Sequence, residues 1–264
     1  MAMFGVWVGA YMTWFRPTYY APALAGLAAF LVCAAGNIVN DLVDIKTDRV
    51  NRPDRVLVRG SLSRRYALVL SIVFNVLALV LAVAISIPMT IVAAVTIALL
   101  YGYNYRFKRI PLLGNLVISL LAGLTFITGG VAVDYYVTFY LPGPMIAAMF
   151  AFLFHMVREI VKDVQDIEGD RAAGIKTLPQ VIGEQRSLLW ALVFFFLMVV
   201  TTVVPVVYGW FGGYYKIIAI YIVDLPLLAF MIFLWGNPSR SMLRVASTAL
   251  KIGMALGIFA LCLA

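Results

Sequence analysis

The 264-residue chain is poor in charge: 12% of its residues are Asp, Glu, Lys or Arg, 64% are hydrophobic, and the mean hydropathy is +1.00. A soluble globular domain carries about twice that charged fraction, so the composition excludes one and leaves an integral membrane protein. Cysteine is equally scarce. Cys33 and Cys262 stand far apart, each in an apolar run, which excludes a disulfide framework and a thiolate zinc spacing. Both are expected as packing residues. No basic stretch precedes the apolar opening MAMFGVWVGAYMTW, so it reads as a short first membrane span rather than a secretory signal.

What the chain has in quantity is apolar length. A spanning helix takes roughly 20 such residues, and the runs fall approximately at 2–15, 18–41, 65–85, 88–105, 112–133, 143–164, 187–208, 213–235 and 242–263. Runs this long without strict alternation exclude a barrel, since every backbone group in hydrocarbon must be paired within its own segment. The expected fold is therefore all-α, with nine transmembrane helices in one domain. Basic residues set the orientation. Connections 2–3, 4–5, 6–7 and 8–9 hold 18 of the 20 Lys and Arg, leaving Arg16 and Lys216 opposite. The N-terminus is expected on the cytoplasmic side of the cell membrane and the C-terminus outside. The net charge of +8 is then mostly topological; it calls for no nucleic acid, although part of it can serve an anionic ligand.

Acid is rarer still and unevenly placed. Of 12 acidic residues, eight lie in two windows, Asn37 to Arg49 and Glu159 to Arg171. At an offset of 122 these windows agree at seven of thirteen positions, including D-x-x-D-x-x-x-D and the Arg that follows. This internal repeat ends a helix on the same side each time, so it is expected to be parallel: halves of approximately 1–110 and 111–235, with a last helix at 242–263. On a helix Asn40, Asp44 and Asp48 share one stripe with Asn37 and Asp41 beside it, and Asp166 and Asp170 form the equivalent stripe. The two stripes are expected to face each other across the bundle.

Carboxylates gathered at a half-buried interface repel one another unless a cation intervenes. Oxygen-only ligands from Asp and Asn suit Mg²⁺, which completes its shell with water and phosphate. Cations surround the acids: Arg49, Arg52, Arg55 and Arg59 in one loop, Arg171 and Lys176 in another, and Lys108 and Arg109 between helices 4 and 5. Mg²⁺ with Arg and Lys is a diphosphate clamp. Above an apolar bundle, such a clamp fits an amphipathic isoprenyl diphosphate with its tail among the helices. Loss of diphosphate leaves an allylic cation that aromatic faces stabilise, and Tyr101, Tyr103 and Tyr105 end helix 4. His155 is expected to pack or to bond a neighbouring helix rather than to accept a proton.

These residues resemble the UbiA superfamily of intramembrane prenyltransferases. Its N-x-x-x-D-x-x-x-D motif is matched by Asn40, Asp44 and Asp48, its D-x-x-x-D motif by Asp166 and Asp170, and its N-x-P-x-R loop by Asn51 to Arg55. Lys108-Arg109 followed by Pro111 and Gly114-Asn115 adds to the match. The resemblance implies a ring of nine helices around a central cavity opening to the cytoplasmic side, and transfer of a prenyl group with two Mg²⁺ ions. It implies Asn40, Asp44, Asp48, Asp166 and Asp170 as metal ligands, with Arg55, Lys108 and Arg171 on the diphosphate. Asn37, Arg49 and Arg109 are further candidate substrate contacts. Tyr101 and Tyr105 are candidates for stabilising the cation, and Asp41 or Asp163 for accepting a proton.

Within the superfamily the chain looks most like the archaeal digeranylgeranylglyceryl phosphate synthases. GNIVNDLVDIKTDRVNRPDR, VREIVKDVQDIEGD, Phe211 to Tyr215 and Asn237 to Arg240 carry that likeness. The expected acceptor is accordingly a lipid phosphate, geranylgeranylglyceryl phosphate, attacking through its hydroxyl in a site bathed by membrane lipids. Val56 departs from the usual Pro, and the basic, Asn-containing stretch usual ahead of the first helix is missing, so a late start or a truncated chain is the expectation. Two other readings stand beside this one: prenylation of an aromatic ring in quinone biosynthesis, and a secondary transporter or ion channel with Asp-lined sites.

Overall fold

The computed structural model describes residues 2–14, 19–45, 48–49, 53–172 and 174–264. Among them, eight helices are long and apolar enough to cross a bilayer: α2 (Tyr20–Val43), α3 (Arg64–Ile85), α4 (Ile87–Tyr105), α5 (Leu113–Val133), α6 (Pro144–Gln165), α7 (Glu184–Val207), α8 (Gly213–Gly236) and α9 (Arg240–Cys262). The opening apolar run forms α1 (Ala2–Tyr11), whose 10 residues fall short of a span. Trp14, at φ 57, takes the left-handed conformation that a helix cannot continue through. The expected helix over 2–15 is corrected accordingly. Arg16, Lys46, Asn51 and Arg52 lie outside the described residues.

Local chemistry sets several ends. Ser63, Ser86 and Ser239 cap α3, α4 and α9 by accepting from the backbone N–H of Tyr66, Met89 and Met242 at 3.2, 3.2 and 3.3 Å. Ser86 also ends α3 in an extended conformation, so α3 and α4 are separated by one residue. Gly183, at φ 88, joins a short helix (Leu178–Ile182) to α7 in a region that an L side chain rarely enters. Outward faces stay apolar: Leu68, Ile72, Val76, Val80 and Val83 of α3 are all exposed, as lipid contact requires. Cys33 is exposed on α2, which corrects its expected role in packing; Cys262 is partly buried.

The chain divides into two compact units, Met1–Lys108 with Leu124–Phe139, and Arg109–Gly123 with Tyr140–Ala264, so that α5 contributes to both. In the first unit α2 packs on α1, α3 and α4. Ala25, Ala28, Ala35 and Gly36 of α2 are buried, as are Ala67, Ser71, Ala78 and Ala82 of α3. Lipid supplies no hydrophobic drive between helices, so small residues that permit close van der Waals approach carry the packing. The approach of α1 to the second half of α5 is closer still. A β-carbon on Gly9 would collide with the Phe126 carbonyl oxygen, and one on Gly129 with that of Val6.

In the second unit α6 buries Val157, Ile160, Val161 and Val164, one face by their 3-1-3 spacing. Leu188, Ala191 and Phe195 of α7, Leu227 and Met231 of α8, and Leu243 and Ala246 of α9 complete that core. Burial of this face turns Glu159 and Asp163 to the other side of α6. The core of the unit thereby decides where its acids stand.

Candidate active site

Asn37, Asn40 and Asp41 ride the last turns of α2, and the helical pattern continues past its end. The Asp44 N–H donates to the Asn40 carbonyl at 2.9 Å and the Asp48 N–H to that of Asp44 at 2.8 Å. Asn40, Asp44 and Asp48 therefore remain on one stripe. At the end of α6 the Asp166 N–H donates to the Lys162 carbonyl and the Asp170 N–H to that of Asp166, both at 2.9 Å. A short helix (Ile167–Ala172) carries Asp170. Asp44 and Asp166, paired by the 122-residue offset, cap their helices with nearly the same backbone, φ −90, ψ 5 and φ −99, ψ 8.

Their charge environments differ. Arg55 pairs with Asp41 and, at 2.8 Å, with Asp48. Lys108, whose side chain is 9% exposed, pairs with Asp44. Asn104 ties α4 to α2 through the Gly36 carbonyl at 3.2 Å, one turn before Asn40. Arg49 and Asn37 are exposed. Around the second copy, Asn115 at the start of α5 donates to Asp163 at 2.8 Å, and Arg158 pairs with Glu159. Asp166 is exposed and Asp170 half-buried, and neither forms an ion pair among the described residues. Burial first, then the neighbouring Asp166 charge, pushes the Asp170 carboxyl up to about 6, against the opposing pull of Lys162. Arg109 and Arg171 are exposed.

Tyr101 accepts a hydrogen bond from Asn75 of α3 at 3.0 Å, and the exposed Tyr105 ring lies 6.3 Å from it. His155 is partly buried on α6, and its Nδ1 has no hydrogen bond among the described residues. Two supporting residues escaped the reading of the sequence, Asn75 and Asn104, and Arg240 was noted there without a role at the site. The two asparagines had a signal, since a buried amide in an apolar span must find a partner. Asp224, 2% exposed at the end of a π-helical stretch in α8, has an Oδ2 with no hydrogen bond among the described residues and was also missed.

The donors fit a hard divalent cation. They are carboxylate and amide oxygens set one turn apart, and Asp170 is destabilised as an anion by burial and by the Asp166 charge beside it. Among the described residues no three His, Cys, Asp or Glu converge into a closed cage. Mg²⁺ is held by one or two carboxylates plus substrate phosphate rather than by such a cage.

Residues 2–263 match the UbiA prenyltransferase family. The chain belongs to that family. Membership makes it a prenyltransferase, and its apolar helices make it a multi-pass membrane protein. The UbiA chain is 36% identical over 261 residues to the digeranylgeranylglyceryl phosphate synthase of Methanopyrus kandleri, covering 98% of this chain and 93% of that one. It is also similar to a solved digeranylgeranylglyceryl phosphate synthase structure, at 32% identity with a TM-score of 0.83 over 98% of this chain and 91% of the other. A UbiA homologue from Archaeoglobus fulgidus bound to DMAPP and Mg²⁺ shares the fold, at 19% identity with a TM-score of 0.66 over 100% and 95%.

Proposed function

We propose that this enzyme transfers a geranylgeranyl group from geranylgeranyl diphosphate to the hydroxyl of geranylgeranylglyceryl phosphate, in a Mg²⁺-dependent reaction of archaeal ether-lipid synthesis. One observation carries the reading: two acidic motifs with the same cap geometry at Asp44 and Asp166, each continued one helical turn to a further Asp. The likeness to named synthases at 36% and 32% identity supports the choice of acceptor. The fold shared with a Mg²⁺- and DMAPP-bound homologue supports the metal and the donor class.

In this reading Asn40, Asp44, Asp48, Asp166 and Asp170 are ligands to two Mg²⁺ ions, in a ring of nine helices that counts α1 and opens to the cytoplasm, where the N-terminus also lies. Bound Mg²⁺ supplies charge neutralisation of the departing diphosphate. Arg49, Arg55, Lys108, Arg109, Arg171 and Asn37 bind the anionic groups of donor and acceptor. Tyr101, its hydroxyl held by Asn75, and Tyr105 offer aromatic faces to the allylic cation. The C1–O bond of the diphosphate breaks to leave the allylic cation, the acceptor hydroxyl then forms its bond to C1, and its proton passes to Asp41, to Asp163, which Asn115 holds, or to the departing diphosphate.

Purified protein in detergent with Mg²⁺ and geranylgeranyl diphosphate, offered geranylgeranylglyceryl phosphate and 4-hydroxybenzoate in parallel, tests the assignment. A diether phosphate abolished by EDTA is expected. A prenylated benzoate would replace the lipid acceptor with an aromatic one.

A further inference from the structure

Arg240 opens α9, where a cation is badly placed for its own helix, because the N-terminal end of the dipole is positive. Its guanidinium turns instead to the C-terminal end of α6. Nη1 donates to the carbonyl oxygens of Val164 at 2.8 Å and Gln165 at 3.3 Å, and Nη2 to Glu168 Oε1 at 3.3 Å and Glu184 Oε1 at 3.4 Å. The two carbonyls are among the last of the helix, which lack intrahelical donors, and the negative dipole end adds to the attraction. Asp166 follows Gln165 directly. Glu168 stands between Asp166 and Asp170.

The placement matters because of what Arg240 leaves alone. Asp166 and Asp170 are like charges one helical turn apart, and something must hold their turn in place. A cation on the carboxylates would do so, at the cost of competing with a metal. Arg240 restrains the same turn through main-chain oxygens and Glu168.

We propose that Arg240 is a positioning residue for the second acidic motif: by capping the last carbonyls of α6 it holds Asp166 and Asp170 one turn apart for a divalent cation without itself pairing with either carboxylate. The proposal rests on the reading that these two aspartates bind Mg²⁺.

The test uses the full chain in detergent as wild type, Arg240→Gln, Arg240→Lys and Arg244→Gln, the last an exposed arginine one turn further along α9. Mn²⁺ serves as the probe, its binding followed by electron paramagnetic resonance without substrate, beside hydrogen exchange over residues 163–172. Outer-shell partners of metal ligands are worth roughly 10-fold to 100-fold in affinity. Arg240→Gln is expected to weaken Mn²⁺ about 10-fold and to speed exchange at the Asp166 and Asp170 amides. Arg240→Lys should recover part of both, and Arg244→Gln should match wild type. Unchanged Mn²⁺ affinity in Arg240→Gln would overturn the proposal. So would equal loss in both Arg240 variants with exchange raised throughout α6 and α9, the mark of a general anchor. A wild type that binds no Mn²⁺ overturns the metal reading itself, an outcome distinct from wild type and Arg240→Gln binding it equally.

Discussion

The two acidic copies share a backbone and differ in counter-charge. In the first, Lys108 sits on Asp44 and Arg55 spans Asp41 and Asp48. In the second, Asp163 has an amide partner, Asn115, and Asp166 and Asp170 have no ion pair among the described residues. The difference shows which properties a repeat preserves. Helical spacing and cap geometry follow from local sequence and recur together, whereas counter-charges arrive from other parts of the chain and are set copy by copy. One copy is built with its cations paired to its carboxylates, and the other, without an ion pair on Asp166 or Asp170 among the described residues, holds charge that favours a divalent ion. The first keeps arginine and lysine where a diphosphate would need them.

Removing the metal should erase the contrast and give the largest effect. EDTA is expected to abolish prenyl transfer. Asp166→Ala should lower turnover by about 10² to 10³, the size of several kcal/mol of lost electrostatic stabilisation. Asp44→Ala should lose as much turnover but leave Lys108 without its partner, so its melting temperature should fall further than that of Asp166→Ala. Equal melting shifts in the two variants would contradict the difference drawn between the copies.

Next in size is the removal of a counter-charge. Arg55→Gln leaves Asp41 and Asp48 without that cation, Asp48 being mostly buried. Breaking a buried pair from one side costs roughly 3–5 kcal/mol; partial exposure of Arg55 reduces this to about 1–3 kcal/mol. Thermal unfolding in detergent reads the loss. Arg171→Gln, a change to an arginine beside the second copy, should leave the melting temperature within experimental scatter, since Arg171 makes no ion pair among the described residues.

Much of this was legible in the sequence because it is local. The long spans were expected close to where they fall: the run at 65–85 became Arg64–Ile85, and that at 213–235 became Gly213–Gly236. The stripes of Asn40, Asp44 and Asp48 and of Asp166 and Asp170 needed only helical periodicity. The partners of those stripes were not legible. Lys108 is 64 residues from Asp44, and Arg240 is 76 from Val164; only packing of one helix on another decides which cation reaches which acid. α1 was overestimated for a related reason, since hydropathy carries no information on the backbone turn at Trp14.

Acidity should also separate the copies. Asp170 is raised to about 6, so it holds a proton below that pH, and a cation must displace the proton to bind. Sign follows directly: apparent Mg²⁺ affinity at the second motif should be full above about pH 7 and fall up to about tenfold per unit below pH 6. Mn²⁺ titrations at pH 5 and pH 7.5 check it. An affinity that does not change between them would mean that Asp170 is not a ligand.

The smallest effect belongs to the amides. Asn75 donates to Tyr101 between α3 and α4, and Asn104 to the Gly36 carbonyl between α4 and α2. Hydrogen bonds between membrane helices are worth about 0.6 kcal/mol on average, so Asn75→Leu and Asn104→Leu should each shift melting by only a degree or two. Their consequences for turnover should differ. Asn104 bonds a backbone oxygen within the first motif's helix, one turn from Asn40, so its loss should raise the Mg²⁺ needed for half-maximal rate. Asn75 fixes the Tyr101 hydroxyl, and its loss should lower the rate at saturating Mg²⁺ by about 2-fold to 5-fold, within the worth of one such bond. The two variants would thus divide the first copy into a part proposed to hold the metal and a part proposed to face the forming cation. Identical Mg²⁺ dependence in both would remove that division.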